Sequence, residues 1–258
     1  MNIKKLFLQL TEYTNPYGSE HLLENFFPKG IEEDGFGNYI MKIGDSKTIF
    51  TCHMDTACSR REKVNHVFEG DFIKTDGTTI LSADDKCGMT IMLYMIYRKV
   101  PGVYYFFMGE ESGCVGSELA FRRNKEFFLD YSRMISFDRR AYHSVITHQM
   151  GQRGCSTEFA QALADELNYH GFGYRPDSTG IYTDSATFIG LIPESTNLSV
   201  GYFHEHSHTE KADIKFLENL AKAACLVHWE ELPIGDKGVD KYAYMDEFDE
   251  YGRWGFCY

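Results

Sequence analysis

Residues 85–99, DKCGMTIMLYMIYRK, are apolar almost all the way round. They are too many for an ordinary strand of about 5–6 residues, so the stretch predicts a helix buried on every side. Such a helix needs packed layers around it, and short strand-like segments supply one of them. Asn38–Ile43 and Lys47–His53 read as strands separated by Gly44-Asp45-Ser46. VYYFFM (103–108), YSRMISFD (131–138) and NLSVGYF (197–203) read as three more, and HVFEGDFIKTDG (66–77) as a hairpin. Helical spacing marks residues 2–12, EHLLENFF after a Ser19 N-cap, GSELAFRRNKEFF, STEFAQALADELNYH and Asp213–Leu232. Strands alternating with helices predict an α/β fold, a three-layer α/β/α sandwich with a mixed, mainly parallel central sheet. In such folds functional groups gather beyond the carboxyl ends of the strands.

The chain has 258 residues, 43 % hydrophobic and 25 % charged, which suits one sizeable domain. We expect a catalytic unit over residues 1–232. Residues 233–258 carry seven aromatics among acidic side chains and are expected to pack on the body or on a partner subunit. The formal net charge of −12 argues against a nucleic-acid backbone as partner, because phosphate binding needs a basic face. Acidic pockets do attract metal ions. The longest apolar run, Ile91 to Tyr97, falls well short of the roughly 18 residues that suggest a membrane span. The start, MNIKKLFLQLTEYT, lacks a secretory apolar region and is read as a mature cytoplasmic one. The seven cysteines form no CxxC pair and are expected to be reduced thiols.

Metal-ligand residue types stand at successive strand exits. TIFTCHMD ends in His53 and Asp55, ILSADDKCG offers Asp84 and Asp85, and FFMGEES offers Glu110 and Glu111. RMISFD ends in Asp138, and SVGYFHEHSHTE brings His204, His206 and His208. Imidazoles and carboxylates together suit a pair of divalent metals, most naturally zinc. Two histidines, two terminal carboxylates and one bridging carboxylate would hold such a pair. Two dications less three carboxylates leave one positive charge, which a bridging hydroxide neutralises. A further carboxylate would then be needed to take the proton from water. The adjacent glutamates supply both kinds, because neighbours on an extended backbone point to opposite sides. In His53-Met54-Asp55 the i, i+2 spacing lets Asp55 orient the His53 ring.

The motifs H-x-D (His53, Asp55), D-D-K-x-G (Asp84–Gly88), E-E-x-G (Glu110–Gly113), Asp138 and H-S-x-x-E (His206–Glu210) follow one another in this order. The ordered set, together with DGFGNYIMKIG ahead of the first histidine, resembles the di-zinc exopeptidase superfamily. That superfamily includes leucyl-type aminopeptidases, peptidase T-like tripeptidases, glutamyl aminopeptidases and carboxypeptidase relatives. The resemblance implies that Asp84 bridges two Zn2+ ions per chain, with Co2+ or Mn2+ as substitutes, and that the Asp84–Asp85 peptide is cis. His53 and Asp138 would hold one ion, Glu111 and His206 the other, and Glu110 would act as general base and then general acid.

The gaps from His53 to Asp84 and from Asp138 to His206 are too short for the lid or dimerisation domains of those relatives. The chain therefore looks like a catalytic domain without such an insertion. Its expected substrates are short peptides, cleaved as by an aminopeptidase or a di- or tripeptidase, with N-acylated small metabolites as the alternative. A non-catalytic binding protein with this fold is a remote third reading. Arg139, Arg140 and Asp184 are candidate substrate contacts, neither nucleic acid nor membrane is an expected partner, and a homo-oligomer is compatible with the reading.

Overall fold

The computed structural model describes residues 1–235. The acidic aromatic segment expected to start at residue 233 lies, from residue 236 onward, outside the described residues.

The central sheet has eight strands. They are β1 (Glu32–Glu33), β2 (Tyr39–Ile43), β3 (Thr48–His53), β6 (Gly102–Phe107), β7 (Arg133–Arg139), β8 (Ser144–Ile146), β11 (Arg175–Asp177) and β12 (Glu194–Ser199). Their spatial order is β1-β2-β6-β3-β7-β12-β8-β11. The four inner strands β6, β3, β7 and β12 run parallel. On the two sides, β2 pairs antiparallel with β6 and β8 antiparallel with β12. A second sheet holds β4 (His66–Glu69), β5 (Phe72–Thr75), β13 (Tyr202–Phe203) and β14 (Lys211–Asp213), while β9 (His148–Gln149) and β10 (Gln152–Arg153) form a small hairpin.

The inner strands are apolar on both faces because helices cover both. On one face Phe50, Cys52, Tyr104, Phe106, Ile135 and Phe137 pack with α1 (Ile3–Leu10), α2 (Ala83–Tyr97), α5 (Thr157–Tyr169) and α6 (Ile214–Ala223). On the other, Ile49, Val103, Tyr105, Phe107 and Met134 pack with Ala120 of α3 (Val115–Arg123), Phe128 of α4 (Lys125–Leu129) and Phe188. The period-2 alternation of β3, β6 and β7 thus builds the three-layer sandwich. Every residue of α2 from Ala83 to Ile96 is buried, as a helix apolar all round requires.

Several boundaries differ from the sequence expectation. Residues 20–26 form a 3₁₀ helix, and the Ser19 hydroxyl donates to the Pro16 carbonyl (2.7 Å) instead of capping it. The helix expected over 116–128 breaks at Asn124, separating α3 from α4. NLSVGYF bends at Gly201, whose φ of +89° directs the chain from β12 of one sheet to β13 of the other. The last helix stops at Ala223, where the Trp229 indole N–H donates to the Ala224 carbonyl (2.9 Å). Leu217, Leu220, Ala221, Ala224 and Val227 are nevertheless all buried.

Gly88 marks where α2 meets β7. A Cβ there would stand 2.2 Å from the Phe137 carbonyl oxygen and 2.5 Å from Asp85 Oδ2. Gly88→Ala should therefore force the helix off the sheet and cost about 1–3 kcal/mol. Thermal unfolding checks this, and a variant that melts with the wild type contradicts the packing.

Candidate metal centre

The carboxyl ends of β3, β6 and β7 open onto one acidic cleft. β3 ends in His53, β6 leads through Gly109 (φ +66°) into the 3₁₀ turn Glu110–Ser112, and β7 carries Asp138. Asp84 and Asp85 start α2 with non-helical φ/ψ and a cis peptide between them. Ser82 (φ +67°), Cys114 (φ +54°) and His206 (φ +58°) hold left-handed conformations that non-glycine residues adopt only where their surroundings impose them.

Asp84 stands between two imidazoles. Its Oδ1 lies 2.9 Å from His53 Nε2 and its Oδ2 lies 3.3 Å from His206 Nε2. His53 Nε2 is also 3.6 Å from Asp138 Oδ1, and His206 Nε2 is 2.9 Å from Glu111 Oε1. The fold thus brings His53, Asp84, Asp138, Glu111 and His206 into two groups that share Asp84. Asp85 joins the cluster as well, within 4.8 Å of ligand atoms of His53 and Asp138. Its Oδ1 accepts the Gly88 N–H (2.9 Å), so that oxygen is already engaged.

Backbone donors fix these side chains. Asp55 Oδ1 accepts the Glu110 N–H (3.0 Å) and Oδ2 accepts the Glu111 N–H (3.1 Å). The two glutamates therefore diverge from a tight turn and not, as expected, from an extended strand. His53 Nδ1 faces acceptors alone, the Asp55 carbonyl (3.1 Å) and Asp55 Oδ1 (3.4 Å), so Nδ1 carries a proton and Nε2 points at the carboxylates. Glu210 accepts from the N–H groups of Leu81 (2.7 Å), Ser82 (2.8 Å) and Asp84 (2.9 Å), which sets the start of α2. Asp138 takes the Thr183 hydroxyl on Oδ2, while the Tyr202 hydroxyl reaches Oδ1 (3.3 Å).

Charge follows from this crowding. Burial pushes Glu110 well above the usual carboxylate range, and Asp138, Asp184 and Glu111 add to the effect against His53. Burial likewise raises Asp138 to about 6, against its hydrogen bond with His53. For Asp84 burial is outweighed by His206 and His53, which hold it below its ordinary value. Asp84 and Glu111 in turn push His206 up to about 11.

The donor set fits divalent ions. A tetrahedral zinc ion with bonds of about 2.0–2.1 Å to nitrogen and oxygen separates its ligand atoms by about 3.3 Å. The four imidazole–carboxylate contacts of the cluster, two of them to Asp84, run from 2.9 to 3.6 Å. His53 is 1 % exposed at its side chain and His206 is 50 % exposed, so the cluster is closed on one side and open on the other.

Arg140 pairs with Glu205 on the surface (2.9 Å), and Arg139 donates to the Thr179 carbonyl (3.0 Å). Both guanidiniums are already engaged. Asp184 is 1 % exposed and lies close enough to the cluster for its charge to act on Glu110. Burial raises it to about 8. Sequence reasoning missed the anchoring role of Glu210, although the residue closes the H-S-x-x-E motif. It also missed that Asp55 holds the glutamate turn.

No protein-family model matches the chain. An uncharacterized protein of Bacillus subtilis, YqjE, is 40 % identical over 99 residues, which span 34 % of this chain and 26 % of that protein. Among solved structures, the aminopeptidase PepT from Bacillus cereus superposes with a TM-score of 0.70 at 16 % identity, covering 87 % of this chain and 97 % of that one. A tripeptidase from Staphylococcus aureus gives 0.70 at 17 %, covering 86 % and 96 %. The TET1 peptidase of Pyrococcus horikoshii, which can assemble into a tetrahedron or a large octahedral shell, gives 0.62 at 14 %, covering 87 % and 98 %. The chain has the α/β fold of these aminopeptidase and tripeptidase structures. Among the described residues no helix is long and apolar enough to cross a membrane.

The Glu210 contacts carry their own test. Glu210→Gln turns an amide NH2 toward backbone donors and leaves at least one buried N–H without an acceptor, a cost of about 1–3 kcal/mol. Urea unfolding should show a lower midpoint at an unchanged slope. An unshifted midpoint contradicts the triple contact.

Proposed function

We propose that the chain is a di-metal exopeptidase, with zinc as the natural ion, that hydrolyses short peptides. The observation that carries the reading is the Asp84 carboxylate, one oxygen toward each of two histidines and a second carboxylate beside each. His53 and Asp138 would hold one ion with Asp84, and Glu111 and His206 the other. A divalent pair there supplies charge to polarise the scissile carbonyl and to acidify the attacking water.

The other tasks fall to the protein. Glu110, on the same turn as Glu111, accepts the proton of the attacking water and returns it to the departing amine. Asp55 fixes where Glu110 stands by holding its N–H, and fixes the His53 tautomer through Nδ1. The half-exposed side, beside His206, is where a peptide enters. Similarity of fold to an aminopeptidase, a tripeptidase and TET1 supports peptides as the substrate class.

Two substitutions separate the roles of the glutamates. Glu110→Gln should keep two zinc ions per chain and a native melt while kcat on a peptide panel falls about 10²–10⁴-fold. Glu111→Gln should lose zinc together with activity. Near-wild-type turnover of Glu110→Gln contradicts the base assignment, and zinc loss in that variant instead of in Glu111→Gln reverses the two roles.

A further inference from the structure

Lys86 is enclosed completely, with no exposed surface. It lies in the first turn of α2, two residues past Asp84, yet its ammonium is not among the contacts of the histidines. Nζ donates instead to the carbonyl of Met54, the residue between His53 and Asp55. Burial disfavours its ammonium, and the charges of Asp55 and Asp85, both without exposed surface, favour it. An ammonium buried without such partners would be very costly, and so would Asp55 without a cation.

These contacts form one continuous chain. Lys86 fixes the peptide that joins His53 to Asp55. Asp55 in turn accepts the Glu110 and Glu111 N–H groups and faces His53 Nδ1. We propose that Lys86 is a positioning residue that acts through Asp55, locking the His53–Asp55 strand end to the Glu110–Glu111 turn so that both metal groups keep their spacing. The catalytic consequence rests on the peptidase reading; the consequence for metal affinity and stability does not.

A filler lysine and a positioning lysine behave differently. Removing either of two buried opposite charges leaves the other less compensated, whereas removing both relieves that cost. The test is a double-mutant cycle of Lys86→Met, Asp55→Asn and the two combined. Zinc affinity is read by competition with a chromophoric chelator, together with melting temperature and with kcat and KM on a peptide. Each single variant should lose about 10–100-fold in zinc affinity. The combined variant should lose no more than the worse single one and should melt higher than Lys86→Met. The kcat should follow the same pattern, with KM within a few-fold of wild type.

Losses that multiply, or a Lys86→Met protein that binds zinc as the wild type does, overturn the proposal. Should Lys86→Met fail to fold, a folded combined variant upholds the coupling and an equally unfolded one overturns it. Absence of peptide turnover by the wild type would refute the peptidase reading, and the affinity and melting arms would still decide the role of Lys86.

Discussion

Acidic side chains converge beyond the ends of β3, β6 and β7 within hydrogen-bonding distance of only two imidazoles. Carboxylates at that density repel one another, and burial raises the cost of each charge. The rest of the site is organised around holding this charge in place. Asp55 spends its oxygens on two consecutive backbone N–H groups and a histidine, Glu210 on three backbone N–H groups, and the buried Lys86 holds the Met54 carbonyl next to Asp55 in the chain. What stays uncompensated is the open cluster around Asp84. Net negative charge that the protein does not neutralise itself, arranged at the spacing of a coordination shell, is the physical basis for assigning divalent ions there.

The fold delivers these groups because parallel strands end together. β3, β6 and β7 are neighbours in the sheet, so their three exits are within reach of one another however far apart they lie in sequence. The buried helix α2 starts at the same edge and carries Asp84 and Asp85 into it, and the loop after β13 brings His206 to the open side. Rigid strands set the closed half of the cluster. Loops set the half through which a substrate would enter.

Much of this was legible in the sequence, since period-2 strands, an all-apolar helix and charged residues at strand exits leave few alternatives. His53, Asp84, Glu111, Asp138 and His206 are brought together as their motif order implied, and the Asp84–Asp85 peptide is cis. The misses have local causes. The glutamates were placed on an extended backbone, but Gly109 in the left-handed region turns the chain into a 3₁₀ step before Glu110. NLSVGYF reads as one strand because hydropathy does not register the bend at Gly201. Asp184, a candidate substrate contact by resemblance of its loop, is buried by the packing of residues 184–188 against the sheet. Arg139 and Arg140 stand next to Asp138 in sequence, but their long side chains find Thr179 and Glu205 instead.

The account stands on two ions sharing Asp84. Diffraction from crystals grown with zinc, recorded on both sides of the zinc absorption edge, locates such ions without assuming any role for a side chain. Two anomalous peaks flanking the Asp84 carboxylate, one beside His53 Nε2 and the other beside His206 Nε2, are the predicted result. A single peak, or none within bonding distance of Asp84, would contradict it.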